Sequence, residues 1–106
     1  MLSLGKIKRG DTFSFFANLT DAENAPLVTA VGNIHCQVRG VDDVKLCDMV
    51  VAVTETAGKY LFRVDDTRKF PAGSVQLDIR IVLGGVIKTT DTMELVVEKE
   101  VTKIAE

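Results

Sequence analysis

The sequence contains one histidine, His35, the residue type best suited to acid–base chemistry near neutral pH. A general base or a metal ligand at this position would need partners. No serine or cysteine nucleophile and no second metal ligand at a suitable spacing accompanies it. His35 lies between Asn33 and Gln37 at an outward position of a predicted strand. The pattern therefore indicates a polar residue on a solvated face.

The two cysteines, Cys36 and Cys47, are too few to form a zinc site. Both fall at predicted inward positions of their strands. Without an oxidising compartment, we expect two buried thiols that pack as small hydrophobic groups. A disulfide is the alternative, because the predicted strand pairing places the two residues opposite each other.

Acidic residues cluster in predicted turns, where carboxylate oxygens often bind calcium. The clusters are Asp21 with Glu23, Asp42 with Asp43, and Asp65 with Asp66. No calcium-loop motif is present, and aspartate is common in turns because its side chain bonds the nearby backbone. The Gly84-Gly85 pair lacks the lysine and helix that follow a phosphate-binding loop. We predict neither a metal nor a cofactor.

The same survey predicts that the chain is not an enzyme and has no catalytic residue. A pair of glycosidase carboxylates stays open from the sequence alone. A sandwich of 106 residues, however, offers little room for a substrate cleft, so no small-molecule substrate is predicted. A small hydrolase would require a polar cleft that the sequence does not indicate.

Charge and hydropathy narrow the choice of partners. The net charge is −2, and basic residues are spread among acidic ones, so the sequence forms no basic stripe suited to nucleic acid. No apolar stretch approaches the ~20 residues that cross a bilayer, so no membrane contact is predicted. The first residues lack the apolar run of a signal peptide, which predicts that the chain stays in the cytoplasm after synthesis.

The elements that carry these residues are short strands, since apolar and polar side chains alternate along most of the chain. Turn signals rich in glycine, proline and aspartate separate the alternating segments. No stretch of ten or more residues has helical periodicity. This pattern predicts an all-β protein, an antiparallel sandwich or barrel of about seven strands. The predicted strands are 4–8, 13–19, 34–39, 49–53, 60–64, 75–81 and 93–98.

The length of 106 residues predicts one domain over residues 1–106, because it is near the commonest domain size. Residues 101–106 lack strand alternation. We expect them to form a flexible or helical tail.

Burial of one sheet face restricts the register of each hairpin. The hairpin that follows the strand at 34–39 is expected to pair about Val41 and Asp42, with an even loop at residues 40–43. This register sets Cys36 opposite Cys47 on the inner face.

In the last hairpin, a two-residue turn at Gly84-Gly85 would set Lys88 opposite Ile81 on the core face. A three-residue loop avoids that polar contact and is therefore expected. The pairs it predicts are Leu83 with Ile87, Leu77 with Met93, and Val75 with Leu95.

Residues 55–62 read Glu-Thr-Ala-Gly-Lys-Tyr-Leu-Phe, which resembles the acid-x-x-Gly-x-Tyr-x-apolar signature of immunoglobulin-like domains. The resemblance implies that the Tyr60 hydroxyl holds a corner of the backbone and that Phe62 packs between two sheets. The usual disulfide and central tryptophan are missing. The fold class that follows is an antiparallel Ig-like β-sandwich, distinct from antibody domains.

A second resemblance lies in the order of short motifs over residues 7–102. They include Arg-Gly-Asp-Thr at 9–12, Gln-Val-Arg at 37–39 and Pro-Ala-Gly at 71–73. This order is similar to the N-terminal domain of bacteriophage baseplate upper proteins and related tail components. In that family the first motif opens a long strand, so we interpret residues 9–11 as a strand-entry turn and not as an integrin ligand.

The resemblance implies a structural phage virion protein, associated with the tail or baseplate. It implies docking onto other virion proteins through edge strands, homo-oligomer formation, and localisation in the virion after assembly in the bacterial cytoplasm. The alternative is a bacterial Ig-like module that binds carbohydrate or a surface. Such a module should present a row of exposed aromatic rings, whereas most aromatic positions here are predicted to face inward. The aromatic residues are Phe13, Phe15, Phe16, Tyr60, Phe62 and Phe70.

Overall fold

The structure, a computed structural model, describes residues 2–21 and 23–101 of the chain. Its regular elements are short strands joined by turns, as the alternating sequence predicts. None of the helices in these two ranges has the length and apolar character needed to cross a membrane. Residues 102–106 of the predicted tail lie outside the described part. The strands are β1 (Leu2–Lys8), β2 (Phe13–Asn18), β3 (Ile34–Arg39), β4 (Lys45–Asp48), β5 (Val50–Val53), β6 (Lys59–Val64), β7 (Gly73–Leu83), β8 (Val86–Thr89) and β9 (Met93–Glu98).

The strands form two sheets that pack face to face. The larger sheet has the order β1-β9-β7-β3-β4, with β8 beside β7, and the smaller sheet has the order β2-β6-β5. The smaller sheet corresponds to strands B, E and D of an immunoglobulin-like sandwich, and β9, β7 and β3 correspond to G, F and C. The predicted all-β sandwich is confirmed. One pair departs from the antiparallel prediction, since β1 runs parallel to β9.

The prediction of about seven strands was low by two among the described residues. The segment expected at 49–53 is preceded by β4, which belongs to the larger sheet, and the chain passes at Met49 into β5 of the smaller sheet. The other missed strand is β8. All four of its side chains are exposed, so it carries no alternation of apolar and polar residues that a sequence could show.

The predicted register between β3 and β4 was wrong by two residues. Cys47 pairs with Val38, while the Met49 amide donates to the Cys36 carbonyl at 2.8 Å. The connection is longer than expected because a 3-10 turn at Val41–Asp43 precedes β4 and the pairing shifts at a bulge. A shift of two residues preserves the side-chain faces, so Cys47 still points toward the core side.

The last hairpin combines a two-residue turn with the core pairing that a three-residue loop predicts. Gly84 and Gly85, both at positive φ, form the two-residue turn that was not expected, and Ile81 faces Lys88. The pairing of Leu77 with Met93 is nevertheless as predicted.

Thr90 accounts for the change of register between β8 and β9. Its amide donates to the Ile79 carbonyl at 2.9 Å, and the Ile79 amide donates to the Thr90 hydroxyl at 2.9 Å. The side chain thus takes a ladder hydrogen bond that a backbone carbonyl would otherwise accept. Relative to β7, one extra residue lies between β8 and β9. This shift of one position places the apolar residues of β9 on the core face.

The core lies between the two sheets and contains the inward residues that alternation predicts. Phe62, at the centre of the smaller sheet, is fully buried and stacks on Phe15 with ring centroids 5.1 Å apart. Large side chains from the opposite sheet complete the packing. The buried apolar residues are Phe13, Leu19, Ile34, Cys36, Val38, Met49, Tyr60, Phe62, Val64, Phe70, Val75, Leu77, Ile79, Met93, Leu95 and Val97.

Tyr60 holds a distant segment of backbone in place. Its hydroxyl donates to the Leu27 carbonyl at 2.8 Å and accepts from the Thr29 amide at 3.1 Å. The pinning role implied by the Ig-like signature is therefore present. The position differs, because Tyr60 lies on β6, the counterpart of strand E, whereas the signature tyrosine belongs to strand F.

Gly58 allows the same region to close. Its φ is +78°, and a Cβ atom there would lie 2.8 Å from Pro26 Cβ and 3.0 Å from the Leu19 carbonyl oxygen. The Leu19 amide in turn donates to the Gly58 carbonyl at 2.7 Å. Only glycine fits both this backbone conformation and this close approach.

We predict that Tyr60→Phe lowers the free energy of unfolding by about 0.5–1.5 kcal/mol, the net value of a hydrogen bond. Phe62→Ala should lower it by about 3–5 kcal/mol, because it opens a cavity in the core. Denaturant titration of both variants measures the difference. Equal and negligible effects would contradict the assigned roles.

Gly58→Ala should destabilise the fold more than Gly84→Ala. Both glycines have positive φ, which costs about 1–2 kcal/mol for alanine, but a Cβ at Gly84 meets no atom within 4 Å. Thermal unfolding of the two variants separates the steric contribution from the backbone contribution. Equal losses would show that the contact with Pro26 is unimportant.

Candidate docking surfaces

The outward side chains of β3 and β7 form a polar groove on the larger sheet, with a volume of about 550 Å³. Strand pairing sets His35 beside Arg80 and Gln37 beside Asp78. His35 is exposed, as its outward position predicts. The groove is lined by His35, Gln37, Arg39, Asp43, Gln76, Leu77, Asp78, Arg80 and Thr92.

Arg39 organises one end of this groove. Its guanidinium donates to the Gln37 side-chain oxygen at 2.7 Å and to the Asp43 carbonyl at 2.8 Å. The Asp43 carboxylate lies 3.7 Å from Arg39 Nε. The N–H groups of Arg39 are thus bonded within the chain, and they hold the connection between β3 and β4 in place.

The adjacent strand β4 carries an ion pair at the rim. Lys45 Nζ lies 2.7 Å from Asp48 Oδ2, and this hydrogen bond holds the pKa of Asp48 below its usual range. Gln37 and His35 act in the same direction to a smaller extent. The surface around the groove thus carries both signs of charge.

The two cysteines are free thiols in different surroundings. Cys36 is buried and donates to the Met49 sulfur at 3.7 Å. Burial, and then Asp78 and Cys47, raise the pKa of Cys36 to about 12. Cys47 is only half-buried, so the prediction of burial is right for Cys36 and only partly right for Cys47. Burial also raises the pKa of Cys47, and Asp48 adds to this effect.

The Arg-Gly-Asp motif forms the turn that joins β1 to β2. Arg9 binds the Glu100 carboxylate with contacts of 2.7–3.3 Å, and this hydrogen bonding raises the pKa of Arg9. The buried Thr67 hydroxyl accepts from the Gly10 amide and donates to the Asp11 carbonyl. The Asp11 carboxylate accepts from the backbone of β1. Both charged groups of the motif are used within the chain, which favours the turn interpretation.

The acidic clusters also have local roles. Asp66 binds Arg68 through contacts of 2.6–3.0 Å, which lower the pKa of Asp66, and Asp65 pairs with Arg63. The Asp21 carboxylate accepts from the Glu23 and Ala25 amides and shapes its turn. In the described ranges, no three histidine, cysteine, aspartate or glutamate side chains come together as a metal site.

The smaller sheet presents an apolar row to solvent. Phe16, Leu61 and Ala52 are cross-strand neighbours on its outer face, where Leu61 and Ala52 are half-buried. Phe16 is 59% exposed, and Lys59 Nζ lies 4.7 Å from its ring centroid. The sequence does not predict this face, because the alternation at residues 13–19 indicates apolar side chains on the inward face alone.

The edge strands differ in how they are protected against pairing. The β4 edge carries Lys45 and Asp48, and β1 carries Lys6 and Lys8 with a register shift in its middle. The β5 edge, Val50–Val53, has no charged residue, glycine or proline. A short uncharged strand has the same kind of sequence at the edge of a sheet as at its centre. The sequence therefore does not indicate that β5 is an exposed edge strand.

No protein-family model matches this chain, and no curated protein matches it either.

We predict that alkylation of the folded protein modifies Cys47 first and Cys36 much more slowly. A pKa of about 12 leaves about one Cys36 thiolate in ten thousand at pH 8. Mass spectrometry of timed samples, with Cys47→Ser to isolate the slow site, measures both rates. The chain unfolded in guanidinium is the control, in which both thiols should react alike. Equal rates in the folded protein would contradict the burial of Cys36.

Proposed function

We propose that this chain is a structural phage virion protein, associated with the tail or baseplate, that acts through contacts with other proteins. The observation that carries the proposal is the uncharged edge strand β5 beside a partly exposed apolar row on the smaller sheet. Natural proteins protect such edges unless another chain pairs with them. The surface is thus suited to binding protein and not to catalysis.

The order of motifs supports the choice of a virion protein. The turn at residues 9–12 opens β2, and Thr67 and Glu100 fix it from two other parts of the chain. The turn at residues 71–73 leads into β7, which buries three side chains in the core. These are the positions that the resemblance to baseplate upper proteins assigns to the two motifs.

The groove on the larger sheet supports a role without catalysis. Its lining has no serine or cysteine nucleophile, and Asp43 is paired with Arg39. We propose that no reaction takes place there and that the groove forms a polar part of the contact surface.

The distribution of aromatic rings weighs against a carbohydrate-binding module. Phe16 is the one exposed ring among the six aromatic residues, all of which lie in the described ranges. Its ring is partly covered by Lys59. The polar groove has no aromatic side chain on which a sugar could stack.

Gradient-purified particles of the phage whose genome encodes this chain should contain it at a constant ratio to the other virion proteins. Quantitative mass spectrometry of particles from several gradients measures that ratio. Neighbouring genes for tail or capsid parts would agree with this result. A protein that is abundant in the lysate but lost from purified particles, or a gene within a metabolic operon, would contradict the proposal.

A further inference from the structure

Three sulfur-containing side chains lie on the inner side of the fold, where β3, β4 and the start of β5 meet. Cys36 is on β3, Cys47 is on β4, and Met49 joins β4 to β5. The Cys36 and Met49 side chains are buried with their sulfur atoms 3.7 Å apart, and the half-buried Cys47 packs against the same core. We call these three residues the sulfur cluster. It contains two thiols and one thioether.

Strand pairing makes the three residues neighbours. The Met49 amide donates to the Cys36 carbonyl at 2.8 Å, and Cys47 pairs with Val38, two positions after Cys36. Cys36 and Cys47 are therefore diagonal neighbours on one sheet face, a relation that sets residues about 7–8 Å apart. That separation exceeds the Cα distance of about 4.4–6.8 Å that a disulfide requires. The two thiols are still close enough to interact, since Cys47, after burial and Asp78, raises the pKa of Cys36.

A bound cation suits this separation better than a disulfide does. Two sulfur ligands of one metal ion lie up to about 4.6 Å apart, which is twice a metal–sulfur bond of about 2.3 Å. The 3.7 Å between the Cys36 and Met49 sulfur atoms already falls within that span. Diagonal cysteines can direct their sulfur atoms toward an ion between them without any change in strand pairing.

The chemistry of the donors selects the kind of ion. Thiolate and thioether ligands bind soft cations such as copper(I), whereas carboxylate and carbonyl oxygens bind hard ones. A structural zinc site takes four ligands from cysteine, histidine and carboxylate side chains, and the sulfur cluster supplies only two of these. A monovalent ion also suits a buried site, because a single thiolate cancels its charge. These properties together favour copper(I).

We propose that Cys36, Cys47 and Met49 form a binding site for one copper(I) ion. Each cysteine binds as the thiolate and releases its proton to solvent. Copper keeps its +1 charge, so the step needs no oxidant or reductant. The sequence predicted no metal because two cysteines are too few for zinc, whereas this site depends on Met49 as the third ligand. The inference goes beyond the proposed function and does not rest on it.

Cys47 provides a route by which the ion enters. It lies on β4, a strand of four residues at the edge of the larger sheet, and its side chain is only half-buried. The ion binds Cys47 first and reaches the buried Cys36 and Met49 through local opening of this edge. Once bound, it links β3 to the segment at which the chain crosses to the smaller sheet. We therefore expect copper(I) to raise the unfolding temperature.

Anaerobic titration of the reduced chain with copper(I), in competition with the chromophoric chelator bathocuproine disulfonate, should show one ion per chain. Met49→Leu should raise the copper(I) dissociation constant by more than about tenfold, because it removes one of three ligands. Met93→Leu is the matched control, since Met93 is 7% exposed and Met49 6%, and both belong to the same core. It should leave the dissociation constant unchanged. Circular dichroism confirms that each variant is folded before it is compared.

Alkylation gives a second readout. Copper(I) should slow the modification of Cys47 in the folded chain, because a metal-bound thiolate is no longer free to react. Zinc ions at the same concentration should protect Cys47 much less. Cys47→Ser should weaken copper(I) binding more than Met49→Leu does, since a thiolate binds the ion more strongly than a thioether.

Three results would overturn the inference: a Met49→Leu variant that binds copper(I) as tightly as the wild type, a chain unfolded in urea that binds it as tightly as the folded chain, or alkylation of Cys47 that copper(I) does not slow. Each would show that the fold does not bring the three sulfur atoms together around an ion. None of these results bears on whether the chain is found in purified particles, which is the separate test of the virion role.

Discussion

The packing of the smaller sheet onto the larger one, centred on Phe62, is the interaction on which the other features of the chain depend. Phe62 is fully buried on the central strand of the smaller sheet and stacks on Phe15. This contact requires that alternate residues of every strand face inward. The packing of the two sheets therefore determines which side chains are left to form the groove, the outer apolar row and the edge strands.

The need to bury one face explains what the sequence could predict. Alternation located seven of the nine described strands, and side-chain parity placed Cys36 and Cys47 on the same face even though their expected pairing was wrong by two residues. Parity is set by burial, whereas pairing is set by the connection. Asp42 and Asp43 adopt positive φ in that connection, a conformation that no pattern in the flanking strands requires.

The candidate surfaces were harder to predict because they depend on the order of strands within each sheet. The four residues of β5 would suit a central strand as well as an edge strand, since both favour branched apolar side chains. The polar groove needs β3 and β7 side by side, yet more than thirty residues separate them in the chain. Sequence patterns report the burial of each strand and do not report its neighbours in space.

The parallel pairing of β1 with β9 has a mechanical consequence when the chain is placed under tension. Because the two strands run in the same direction, tension applied before β1 and after β9 slides them past each other. All hydrogen bonds of the pair then bear the load together instead of opening one after another. Arg9 and Glu100 add a bidentate ion pair at the far end of the same pair of strands. The fold thus resists stretching along the chain far better than peeling from a side.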